Sequence, residues 1–111
     1  KNVLLTHPLT RGMPCVLTKV IDIPAGKQTR LKAEVSHHDK GDWVLVIRVN
    51  GSVQKEVTIG KDSVNEDGWL EVLFDLTPFA GNNNVKIDLE NKANGWSWEA
   101  GYWNDIRVEQ L

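Results

Sequence analysis

The feature that most constrains this chain is an alternation of apolar and polar residues with period two. Leu31, Ala33 and Val35 interleave with Arg30, Lys32 and Glu34. Leu70, Val72, Phe74 and Leu76 form one set whose intervening positions include Trp69, Glu71 and Asp75, and Val85, Ile87 and Leu89 alternate with Lys86, Asp88 and Glu90. This is the period of a strand with one face buried, and no segment carries a convincing helical repeat. Nearly every such segment ends in Gly, Asn, Asp or Pro. A chain built this way can bury its apolar faces by laying one sheet on another, with no helix to cover them. The expected fold class is all-β, an antiparallel β-sandwich of about eight strands.

The strands are expected at residues 3–6, 15–23, 30–36, 43–49, 53–59, 69–76 and 85–90, with a last one after the aromatic loop described below. Trp43-Val44-Leu45-Val46-Ile47-Arg48-Val49 is nearly all apolar, so it is read as a central strand covered on both faces. Asn50-Gly51 supplies the two positive-φ positions of a type I′ hairpin turn. Phe79, in the turn 77–81, is expected to plug one end of the core. If successive strands run antiparallel, the loops at 7–14, 37–42, 60–68 and 91–101 meet at one end. Those at 24–29, 50–52 and 77–84 meet at the other. The first set is longer and holds every histidine, and loops at one end of a rigid sandwich are where a binding site is usually carried.

Composition narrows the function. The 111 residues suit a single domain, 1–111. The net charge is −2 with scattered signs, so no basic surface for nucleic acid is expected. No apolar run approaches the ~20 residues of a membrane span. The sequence opens at Lys1, which is read as a piece of a larger multidomain protein. One cysteine, Cys15, rules out an internal disulfide and is read as a small core residue.

Three of the five tryptophans fall in the last part of the chain, within Asn-Gly-Trp-Ser-Trp-Glu-Ala-Gly-Tyr-Trp from Asn94 to Trp103. Flat rings with a polar edge suit the apolar faces of sugars, a protein partner, or the lid of a small core. In the first reading Trp96 and Trp98 stack on sugar C–H faces while Asn94, Glu99, Arg11, His37 and Asp39 bond hydroxyls. In the second the rings cap the core. Trp103 is opposite in phase to Ile106 and Val108, which places it on the outer sheet face as a possible further ring. Adjacent histidines at a strand end point to opposite faces, so His37 and His38 make a poor metal pair. The acidic loop 62–68 lacks the spacing of a calcium-binding loop. No nucleophile-elbow, zinc-helix or phosphate-loop motif is present, so no enzyme is expected.

Gly68-Trp69, then Val72-Leu73-Phe74-Asp75-Leu76-Thr77-Pro78-Phe79-Ala80-Gly81, then Val85-Lys86-Ile87, resembles the galactose-binding-like jelly rolls that serve as carbohydrate-binding modules on glycosidases. The closing Trp103-Asn104-Asp105-Ile106-Arg107-Val108 is similar to their last strand. The resemblance covers about two-thirds of the chain and implies a non-catalytic module that binds poly- or oligosaccharide for an attached enzyme. It also implies a monomer in an extracellular, periplasmic or cell-surface setting. Many such modules hold a structural calcium ion, and Asp105 is the position that would contribute here. The alternative is a structural or protein-interaction sandwich with no sugar ligand.

Overall fold

The computed structural model describes residues 3–111. Among them are eight strands: β1 (Leu4–Thr6), β2 (Cys15–Ile21), β3 (Thr29–His37), β4 (Trp43–Val49), β5 (Ser52–Ile59), β6 (Leu70–Asp75), β7 (Val85–Lys92) and β8 (Gly101–Gln110). A 3-10 turn at Thr77–Phe79 is the one helical piece among the described residues. The strands form two four-stranded sheets, β1-β8-β3-β6 and β2-β7-β4-β5, with every pairing antiparallel. All connections cross between sheets except the β4–β5 hairpin. This strand order is a jelly roll, so the expected antiparallel sandwich is the observed architecture.

The alternation written in the sequence becomes the core. From the first sheet Leu31, Ala33, Val35, Val72 and Trp103 face inward, and from the second Trp43, Leu45, Ile47, Val49, Val85, Ile87 and Leu89 meet them. Phe79, expected to plug one end of the core, is partly buried against this cluster. β4 lies between β7 and β5, so it is central within its sheet. Its outer side is covered by neighbouring side chains rather than a further layer: Arg48 reaches Glu90 at 2.6 Å, and Glu90 is the cross-strand neighbour of the buried Val46. Asn50 and Gly51 take φ of 51° and 86°, the mirror-image turn that the pair favours between twisted strands.

Trp103 is a correction to the sequence reading. It lies in the core at 1% exposure, not on the outer face, and its ring sits 5.1 Å from that of Trp43. The cause is a bulge. The register of β8 on β3 shifts between Lys32/Arg107 and Glu34/Asn104, and Asp105 adopts φ of 56°. One extra residue on β8 reverses the phase, so Trp103, Ile106 and Val108 all point toward the other sheet. β1 covers β8 only along Gly101–Trp103. Beyond it, Ile106 and Val108 remain 39% and 41% exposed over an apolar cleft of about 400 Å³ shared with Leu17 and Ile21 of β2.

Candidate ligand-binding site

Three of the loops expected at one end of the sandwich form a cleft of about 660 Å³ there. Residues 39–42, 60–63, 95–97 and 99 supply its walls, with Thr58 from the end of β5. Beneath the loop end lie Trp43 and Trp103, each at the start of its strand. Both indole N–H groups donate to protein acceptors, Trp43 to the Ser36 carbonyl at 3.0 Å and Trp103 to Thr6 Oγ1 at 2.8 Å. The core is therefore closed by these two rings. Trp96 and Trp98, at 43% and 51% exposure, lie outside it.

Each wall is braced by local chemistry. His37 Nδ1 lies 2.6 Å from the His38 carbonyl and 2.7 Å from that of Gly41. Both partners are acceptors, so this nitrogen carries the proton and clamps the turn. The Gly41 N–H closes the same turn onto the His38 carbonyl at 3.0 Å. At 60–63, the Gly60 N–H donates to Ser63 Oγ at 2.8 Å and the Ser63 N–H returns to the Gly60 carbonyl at 3.0 Å. The third wall turns around Glu99. Its Oε1 accepts from the backbone N–H groups of Asn94 at 2.6 Å and Gly95 at 2.8 Å, and the residue is 1% exposed. Asn94 Nδ2 then donates to Asp42 Oδ2 at 2.9 Å, joining the first wall to the third.

The two loop tryptophans have different surroundings. Trp98 takes φ of 58°, a left-handed conformation that a bulky residue adopts only when its surroundings impose it. Its ring stacks on His38 at 4.5 Å and 22°, and Lys40 Nζ lies 5.1 Å from its centroid. The backbone of Gly41 presses directly on the Ser97 and Trp98 carbonyls, leaving no room for a side chain at 41. Trp98 is thus engaged with the 38–41 turn and does not line the cleft. Trp96 does line it, with its ring edge-on to His7 at 5.4 Å and 83°.

Of the residues singled out from sequence, Trp96, Glu99 and Asp39 line the cleft. Asn94 and His37 hold the walls through the bonds just given. Arg11 is exposed in the 7–14 loop and stands outside the lining, and Trp103 lies below in the core. Asp39 is at the rim, its Oδ1 3.0 Å from His38 Nδ1. The Lys40 N–H lies 3.1 Å from the same nitrogen. Asp42, Lys61, Asp62 and Ser63 line the cleft without having been singled out as ligand residues. The parity of the strands had placed their loops at this end, and that was the signal available for them.

Asp105 Oδ2 is paired with the Arg107 guanidinium at 2.8 Å. Among the described residues, no group of three or more His, Cys, Asp or Glu side chains is arranged to hold a metal ion. The outer face of the second sheet is occupied by satisfied polar pairs, Thr18 with Asp88 at 2.6 Å and Arg48 with Glu90.

The fold and its loop-end cleft define an eight-stranded jelly-roll domain whose cleft holds one half-exposed tryptophan. No protein-family model and no curated protein matches the sequence. Among solved structures, the chain is similar to one described as "EclA C-terminal domain; sugar-binding protein", at a TM-score of 0.72 and 11% identity over 97% of this chain and 77% of that one. The likeness establishes a shared fold.

Proposed function

We propose that this domain is a non-catalytic carbohydrate-binding module whose site is the loop-end cleft. The observation that carries the reading is the half-exposed Trp96 ring standing beside carboxylates already fixed in place, Asp42 by Asn94 and Glu99 by two backbone amides. A ring of this kind offers a flat apolar platform to sugar C–H groups, and oriented carboxylates accept from hydroxyls. Because the walls are braced before ligand arrives, little ordering is left to oppose binding. The sugar-binding description of the structural neighbour supports the same class of ligand. The outer face of the second sheet fits less well, since Thr18 and Asp88, and Arg48 and Glu90, are already paired there. In this reading the domain delivers an attached enzyme to its glycan outside the cell, as galactose-binding-like modules do.

The test is a glycan-array screen of the isolated domain, followed by calorimetric titration of each hit against the wild type and Trp96→Ala. Binding that Trp96→Ala abolishes while the domain still melts cooperatively is the expected result. No hit on any glycan, or hits indifferent to Trp96, would sink the reading.

A further inference from the structure

We infer that the cleft selects uncharged or amine-bearing saccharides and rejects acidic ones, with Glu99 as the residue that sets this preference; the inference rests on the carbohydrate reading above. Glu99 is 1% exposed, yet it lines the cleft. Its Oε1 is filled by the amides of Asn94 and Gly95, and no protein donor among the described residues reaches Oε2. No cationic side chain among the described residues pairs with it either. That oxygen is open to the cleft and can accept from a donor that an entering molecule supplies. A hydroxyl or ammonium group does so with a charge-assisted bond.

The rest of the lining reinforces this selection. Asp39, Asp42 and Asp62 join Glu99, against the ammonium groups of Lys40 and Lys61. Lys40 is the one drawn toward Trp98. A hexuronate carboxylate or a sulfate placed in the cleft would face the held carboxylates of Asp42 and Glu99 without a cation at Glu99 to receive it. A neutral hexose presents donors at the same positions.

The experiment compares hexose oligosaccharides with hexuronic-acid oligosaccharides of matching linkage, in glucose, mannose and galactose series, on the intact domain. The expected result is that whichever neutral series binds does so at least about 100-fold more tightly than its acidic counterpart, since like charges brought together at a site are strongly excluded. The Glu99→Gln variant presents either an amide donor or an uncharged acceptor to the cleft. It is expected to weaken neutral-sugar binding about tenfold and to narrow the gap between the two series. Equal or tighter binding of the acidic series by the wild type would overturn the inference while leaving the carbohydrate reading intact. Absence of binding to every glycan would instead remove both. The wild-type comparison stands by itself if Glu99→Gln fails to fold.

Discussion

Replacing Gly41 with alanine tests how the loop end is braced. A methyl group built on Gly41 falls 2.6 Å from both the Ser97 carbonyl oxygen and Trp98 Cβ, and it meets the Trp98 carbonyl as well. Ordinary contact begins at 3.4 Å, so the two atoms at 2.6 Å must retreat by about 0.8 Å and the Trp98 carbonyl by more. Most of them are backbone atoms, which cannot swing aside as a side-chain tip would. The turn cannot yield freely either, because Gly41 is bonded through its N–H to His38 and through its carbonyl to His37. Overpacking of this kind costs about 1–3 kcal/mol, which for a domain of this size lowers Tm by roughly 5–15 °C. The displaced segment lies between Trp96 and Glu99, so ligand affinity should fall with it. Gly95→Ala is the control: it lies in the same loop, but nothing stands within 4 Å of its added methyl. Its stability should change by no more than about 0.5 kcal/mol. Calorimetric melting of the two variants gives the comparison. A wild-type Tm for Gly41→Ala, or an equal loss for Gly95→Ala, would refute the reasoning.

Other outcomes follow from the same structure. Trp103→Ala removes a ring that is 1% exposed and leaves Thr6 Oγ1 without the indole donor, so urea unfolding should show a loss of about 3–5 kcal/mol. A loss near zero would return Trp103 to the surface. The Arg30 side chain bonds Glu109 and, with smaller help from Arg107 and Lys32, holds its carboxyl below the ordinary value of 4.5 against the opposing effect of desolvation. A depressed folded pKa stabilises above the unfolded value, and the contribution disappears as pH falls through the folded one. The stability difference between wild type and Glu109→Gln should therefore be flat from neutral pH down to about 5, then shrink as acid is added. A difference that grows on acidification would reverse the assignment. Because Asp105 is committed to Arg107, neither calcium nor EDTA should move the melting transition, and a calcium-dependent rise in Tm would show a site elsewhere.

Much of the fold could be read in the residues because a sandwich depends on two local signals. Period-two alternation marked the strands of both sheets, and Asn50-Gly51 marked the hairpin. Counting strand parity then brought loops 37–42, 60–68 and 91–101 together, as the cleft shows. Trp103 was misplaced because phase arguments assume an unbroken ladder, and one left-handed residue at Asp105 reverses every side chain that precedes it. The division between Trp96 and Trp98 was equally hidden. It depends on the positive φ at Trp98 and on the close approach of Gly41, both set by a contact between loops distant in sequence. Glu99 could be read as a candidate ligand residue but not as a buried one. Its burial comes from backbone N–H groups turning inward at Asn94 and Gly95, which no residue pattern encodes.

The central claim concerns where ligand sits, and amide chemical-shift mapping tests it most directly. The isotope-labelled domain would be titrated with the strongest neutral oligosaccharide from the array. Shifts are expected to concentrate in residues 39–42, 60–63 and 94–99, together with the indole signal of Trp96. Shifts centred on the outer face of β7 and β4, or on the Ile106 and Val108 cleft beside β2, would contradict it.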